Sequence, residues 1–351
     1  MASEFELINF LFEPLSRGLS PNEIGIGDDG AVLNVPENHQ LVVVTDTLVS
    51  GVHFPENTAA YDVAWKAVAV NLSDLAAMGA QPGFYSLALT IPENNQVWLN
   101  GFAKGLEDIG SFYQIPLVGG DTTNGPLTIT VTMQGWVSTG KAIRRSGAKE
   151  GDLVCVTNYI GNGALGLMVA LNTLPESVKG LISEADSQYL LDALNLPQPQ
   201  LDLSSSLKEF ANSAIDISDG LLADLGHILE ESNKLIAPKD GKVLGAQINL
   251  EFIPLSNAAR IYIENTGHWP AILAGGDDYQ LCFTIAPDKL NLAQEMSGKL
   301  GVKITAIGKV VSLDRVNESS STSNKPSLMD ITLLSHGKKI DVGEAKGYMH
   351  F

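Results

Sequence analysis

Between Val63 and Pro82 the chain reads VAWKAVAVNLSDLAAMGAQP. At helical period Tyr61, Trp65, Val68, Leu72 and Leu75 make one apolar stripe, and Val63, Ala67, Val70 and Met78 line the opposite side. Only the strip Asp62, Lys66 and Ser73 is left for water. A helix apolar nearly all round is a buried helix. Asp74 then stands where a carboxylate is costly unless something pairs with it. It is either a partly exposed residue near the helix end or a metal ligand.

The same reading places other elements around this helix. Glu4–Leu15 has helical spacing, Ala31–Val35 is a short strand, and Leu41–Thr45 is a buried β-branched strand with Asp46 at its end. Gly83–Leu89 and Ile115–Val118 are strands flanking an amphipathic helix over Asn94–Tyr113, and Leu127–Val137 alternates as a half-buried strand. The polar, basic stretch Gly140–Asp152 marks a boundary, giving domains 1–146 and 147–351. Beyond it come a strand at Leu153–Thr157, a glycine turn into a helix at Gly163–Leu171, a helical region over 176–195, the Leu196–Gln200 spacer, and Ala214–Asp219 running into a helix through Glu231. Ala271–Ile285 holds two apolar runs around Gly-Gly-Asp-Asp-Tyr, and the composition of Val316–Leu328 is that of a surface loop. Strands and helices mixed in each half predict a two-domain α/β (α+β) protein.

Composition narrows the function classes. With 22 Lys and Arg against 40 Asp and Glu, the net charge of −18 argues against nucleic-acid and anionic-membrane partners. Cys155 and Cys282 lie in apolar runs and read as reduced core residues, which, without a signal peptide or membrane span, predicts a cytoplasmic protein.

The acidic residues carry the chemistry. Six segments set Asp beside Gly, Ser or Thr at the end of an apolar run: Asp28 and Asp29, Asp46, Asp74, Asp121, Asp216 and Asp219, and Asp277 and Asp278. Small neighbours admit a ligand, and carboxylate oxygens suit hard cations. Mg²⁺ is favoured over a solvated acidic face; Ca²⁺ competes, although no EF-hand spacing occurs. Several such ions point to phosphate chemistry. No Walker or protein-kinase motif is present, so a nucleotide would be held largely through metal bridges, with Arg144 and Arg145 on its phosphates. Gly161-Asn-Gly163-Ala-Leu-Gly166 matches a dinucleotide fingerprint, but the following region is helical and lacks the second strand with its acid, so NAD is rejected. His227 reads as a packing residue on an apolar helix, and His53 is either a turn residue or a substrate contact.

In order, GIGDDGA, TDTLVSGVHF, KAVAVNLSDLAAMGAQP, LVGGDTT, RSGAKEGD, NSAIDISDGLLADLGHI, GGDDYQLCF and the terminal GYMHF closely resemble the thiamine-monophosphate kinase family, within the aminoimidazole-ribonucleotide synthetase (PurM-like) superfamily. The resemblance runs from about Phe5 to Phe351. It implies a homodimer joined through the N-terminal halves, which also bind ATP and Mg²⁺, with a C-terminal α/β domain. The implied reaction is transfer of the γ-phosphoryl of ATP to thiamine monophosphate, giving thiamine diphosphate and ADP, with several Mg²⁺ ions per site. Matched residue by residue, Asp28, Asp29, Thr45, Asp46, Asp74 and Asp121 fall on the family's metal cluster, and Asp216 and Asp219 on its second acidic motif. Tyr113, Gly120, Asp121, Arg145 and Ser218 fall on ATP positions, and His53, Asp277 and Tyr348 on substrate positions. No general base is implied, because phosphate is already a nucleophile.

The chain departs from the family at Asp277 and Gln280, where Glu is usual, at Leu196–Gln200, which lacks two arginines, at Met349, and in the Ser-rich stretch 318–324. Among rivals of the same superfamily, selenophosphate synthetase would need a reactive N-terminal Cys and the hydrogenase-maturation dehydratase a C-terminal one, and neither is present. A non-enzymatic metal-binding protein of the same fold would not need Arg145 beside the intact Asp set.

Overall fold

The computed structural model describes residues 8–235, 242–314 and 331–342. The chain divides into two compact units, one of residues 1–75, 80–142 and 195–201, the other of residues 76–79, 143–194 and 202–351.

The first unit opens with a π-helical turn, Ile8–Phe12, and a 3-10 turn, Glu13–Ser16, tied down where Ser16 Oγ donates to Leu117 O at 2.6 Å. There follow β1 (His39–Val49), α1 (Ala60–Ala77), β2 (Gln81–Ile91), α2 (Gln96–Tyr113), β3 (Leu117–Asn124) and β4 (Thr128–Ser138). The described strands form a sheet of order β1-β4-β2-β3. β1–β4 and β4–β2 are antiparallel; β2 and β3 are parallel, as the α2 crossover between them requires. Alternation sorts the faces. Val42, Leu48, Leu87, Leu89, Val131 and Met133 are buried, while Leu41, Val43, Thr45 and Thr47 of β1 point the other way and are exposed. α2 begins at Asn95, whose side chain accepts from Val97 N and Trp98 N, and buries Leu99, Phe102, Leu106 and Ile109 at helical spacing.

In the second unit β5 (Leu153–Thr157), α3 (Asn162–Ala170), α4 (Glu184–Asn195), α5 (Leu201–Leu207), β6 (Ala211–Asp216), α6 (Leu221–Leu235) and β7 (Lys242–Asn249) come first. α7 (Asn257–Thr266), α8 (Pro270–Leu273), β8 (Leu281–Ile285), α9 (Leu290–Lys299), β9 (Ile304–Asp314), β10 (Ile331–Ser335) and β11 (Lys338–Lys339) complete it. Its described strands run β11-β10-β7-β9-β5-β8-β6. Cys155 and Cys282 are buried and unpaired in adjacent strands, as expected, and burial pushes the Cys155 thiol up to about 12.

Several expectations are corrected. Asp46 lies inside β1 rather than at a strand end, and Gly119–Thr123 belong to β3 rather than following it. Ala31–Val35 is no strand: Val32 makes one bridge to Ile24. Of 176–195, only Glu184–Asn195 is helix. α1 ends at Ala77, and Gln81-Pro82 opens β2 at a bulge. Lys66 and Ser73, assigned to water, are 2% and 0% exposed, whereas Asp74 is half-buried. Lys66 buries its apolar stem and lets Nζ donate to His53 O at 3.3 Å. His227 is not a packing residue; its side chain is 46% exposed beside Glu230.

α1 and α2 touch backbone to backbone at Gly105, where a Cβ would overlap the Tyr61 carbonyl oxygen and come within 2.8 Å of Ala64 Cβ. Gly105→Ala should therefore lower stability by about 1–3 kcal/mol despite its better helix propensity. A thermal melt at or above the wild-type midpoint would show that the two helices are not in such contact.

Candidate functional site

In the first unit the predicted acidic residues are spread over a loop, a sheet and a helix. Asp28 and Asp29 are exposed in the Gly-rich loop, where Asp28 Oδ1 accepts from Asp29 N at 2.9 Å. Asp46 stands in the row of Val131, Leu87 and Gly120, while Asp121 stands one row along, opposite Ala88. Neighbouring rows present side chains alternately to the two faces of a sheet. Thr45 Oγ1 donates to Thr132 Oγ1 at 3.0 Å across β1 and β4. Asp74 sits in the last turn of α1, and Tyr113 closes α2, edge-on to Phe112 with ring centroids 4.8 Å apart. His53 lies in the turn between β1 and α1; its Nδ1 accepts from Val49 N at 3.0 Å, so the neutral ring carries its proton on Nε2. A cavity of about 570 Å³ bordered by Arg17, Tyr85, Glu107 and Ser111 has none of the predicted site residues on its wall.

The second unit assembles its residues more closely. Asp216 ends β6 and is buried, and Ser218 and Asp219 form the turn into α6. Both turn amides donate to Asp224 Oδ2 at 3.1 Å. Asp224 is a site residue beyond those expected from the sequence; its signal is the spacing Asp219-x-x-x-x-Asp224, which returns a carboxylate from the first turn of a helix to the turn before it. Burial, then the charges of Asp216 and Asp219, hold the Asp224 carboxyl well above the usual carboxylate range. Arg145 is exposed, next to Arg144, whose carbonyl accepts from Ala214 N of β6.

Asp277 and Asp278 lie in the loop between α8 and β8. Asp277 N donates to Ser218 O at 2.9 Å and Tyr279 N to Ile217 O at 2.8 Å, so this loop and the Ile217–Asp219 turn lie backbone against backbone. The Tyr279 hydroxyl donates to Asp277 Oδ1 at 2.9 Å. Asp278 turns inward: its two oxygens accept from Gly161 N at 2.7 Å and Gly163 N at 3.1 Å. Burial nevertheless pushes its carboxyl up to about 7. Gln280 Oε1 accepts from Thr157 Oγ1 and Asn158 Nδ2. Tyr348, Met349 and the Ser-rich 318–324 stretch lie outside the described residues.

Among the described residues, no group of three or more His, Cys, Asp or Glu side chains is placed to hold a metal ion, and no helix is long and apolar enough to cross a membrane.

Residues 27–137 match the family model "AIR synthase related protein, N-terminal domain". Over 307 residues the chain is 42% identical to a thiamine-monophosphate kinase of Escherichia coli (strain K12), covering 88% of this chain and 90% of the relative. The chain belongs to the thiamine-monophosphate kinase family. A crystal structure of a family member from Stenotrophomonas maltophilia K279a superposes with a TM-score of 0.77 at 40% identity, covering 88% of this chain and 94% of that one. A structure of AaThiL complexed with AMPPCP and TMP superposes with a TM-score of 0.71 at 29% identity, covering 99% and 97%. The two sheets and their helices are thus the PurM-like fold of this kinase family.

Asp278 makes stability depend on pH. Its folded-state value near 7 exceeds the ordinary 3.8, so the fold favours the neutral acid. That contribution is full below about pH 4 and is lost as pH rises through about 7, a change on the order of a few kcal/mol. Asp278→Asn should flatten the fall in melting temperature between pH 4 and 8. Parallel wild-type and mutant profiles would refute the assignment.

Proposed function

We propose that the protein phosphorylates thiamine monophosphate to thiamine diphosphate by direct in-line transfer from ATP, releasing ADP. The observation that carries the reading is 42% identity to a thiamine-monophosphate kinase across 88% of the chain. The superposition on AaThiL complexed with AMPPCP and TMP supports ATP and thiamine monophosphate as the pair of substrates.

The chain's own residues supply positioning and charge. Ser218 and Asp219, set by Asp224, offer the nucleotide a turn of fixed shape, and the exposed Arg145 offers its phosphates a planar fork of donors. In the first unit, Tyr113 and Gly120 fall on ATP positions of the family. His53, with its proton on Nε2, presents a donor to the acceptor molecule, and Asp277 presents a carboxylate to its cationic part. The acceptor phosphate needs no general base, so orientation carries the reaction.

Asp28, Asp29, Thr45, Asp46, Asp74, Asp121, Asp216 and Asp219 would hold Mg²⁺. Mg²⁺ at phosphate sites takes one or two carboxylates and fills its shell with water and phosphate oxygens. After burial, the charges of Asp216 and Asp219 are what raise the Asp224 carboxyl, and a cation beside them would relieve that charge. When bound, the ions would neutralise charge on the phosphate oxygens.

A homodimer is part of the reading. The outer face of the first sheet carries Leu41 and Val43, 48% and 53% exposed, beside the Thr45–Thr132 and Thr47–Thr130 hydroxyl pairs and the Phe84–Trp136 edge contact. A second copy of that face would cover it.

ADP release should require thiamine monophosphate and fall to background without it. Asp74→Asn should lower kcat at least tenfold, about 1.4 kcal/mol of barrier, with an unchanged melt. Equal ADP release without acceptor, or a folded mutant above a tenth of wild-type activity, would sink the respective assignments. Light scattering should give the mass of two chains, and Val43→Asp should shift it toward one; an unchanged mass would remove this face from the interface.

A further inference from the structure

The glycine turn that imitates a dinucleotide fingerprint already has its acceptor, and the acceptor belongs to this chain. Gly161 is in the left-handed region at φ +87° and opens α3, so the Gly161 and Gly163 amides point outward at the positive end of a helix. Both donate to Asp278, which is 7% exposed. Gly163 leaves the room this needs: a Cβ there would overlap the Asp277 carbonyl.

The residues on either side of Asp278 are held in a conformation they would not choose. Asp277 has φ +68° and Tyr279 φ +49°, both left-handed and neither glycine. Such backbone persists only where its surroundings over-determine it, and it gathers at ligand sites. Here the surroundings are identifiable. The amides of Asp277 and Tyr279 are tied to Ser218 and Ile217, the Tyr279 hydroxyl to the Asp277 carboxylate, and the Asp278 carboxylate to the α3 turn.

We infer that Asp278 is a positioning residue for acceptor recognition: by clamping the loop onto the Gly161–Gly163 turn it forces the backbone reversal that presents the Asp277 carboxylate to the cationic part of the acceptor. This rests on the thiamine-monophosphate reading. Asp278 touches neither substrate; its effect travels one residue along the chain. Tyr279 fixes the Asp277 carboxylate from the other side. An Asn at 278 would keep one acceptor oxygen but turn its NH₂ toward the second amide, setting donor against donor.

The test is steady-state kinetics of the full-length protein with each substrate varied in turn. Asp278→Asn should raise KM for thiamine monophosphate at least tenfold while KM for ATP and kcat stay within threefold. Tyr279→Phe, which removes one hydroxyl and no backbone contact, should raise the same KM at least threefold with KM for ATP unchanged. If Asp278→Asn does not fold, Tyr279→Phe decides alone. A folded Asp278→Asn, or failing that Tyr279→Phe, with wild-type KM for thiamine monophosphate overturns the assignment, as does an equal rise in both Michaelis constants. Wild-type protein that does not turn over thiamine monophosphate overturns the functional reading itself, and that failure shows before any variant is made.

Discussion

A carboxylate removed from water must be answered by donors or give up its charge, and the second unit is arranged around two places where backbone amides supply the answer. Asp224 takes the amides of Ser218 and Asp219, and Asp278 takes those of Gly161 and Gly163. Each bond pins a turn that contains glycine or adjoins it, and the Asp277 loop lies against both turns. Burial wins over these bonds in each acid's preference for its proton, because two amides replace only part of a hydration shell. The arrangement is therefore costly in itself. Its return is a loop whose backbone cannot drift.

The charge pattern of the whole chain has the same logic at longer range. A net charge of −18 repels anions, and both proposed substrates carry phosphates. The acidic residues of the motifs stand in a Gly-rich loop, inside β1 and β3, in the last turn of α1, and in the turns beside β6 and β8. On the proposed reading, negative charge at those places would discourage a bare nucleotide and favour one that arrives with its cation.

Much of the fold was legible because period is local. The α2 helix, β4 and the β5–turn–α3 unit were all read close to their observed bounds, since each has a clean apolar spacing and a cap or glycine at its end. Errors came where tertiary contacts decide. Lys66 looks like a solvent residue in any window, yet it is buried because the His53 carbonyl offers its ammonium a partner thirteen residues away. Asp46 and Asp121 look like strand ends because polar residues interrupt their apolar runs, but ladder pairing carries both strands on. The acidic motifs of the candidate site were visible from their small neighbours. Asp224 was not, since its role appears only when the helix returns it to the turn before it.

Gln280 shows what a neutral side chain accomplishes in such a place. Its amide oxygen takes donors from Thr157 and Asn158, locking the end of the loop to the end of β5. A Glu there could accept the same two bonds, but it would add a negative charge two residues from Asp278, whose burial already disfavours charge. With the amide, the junction is fastened by hydrogen bonds alone and adds no charge to the loop. On the proposed reading the loop thus keeps one acid as an anchor and one as a probe, and closes on a neutral side chain that acts as an uncharged hinge pin.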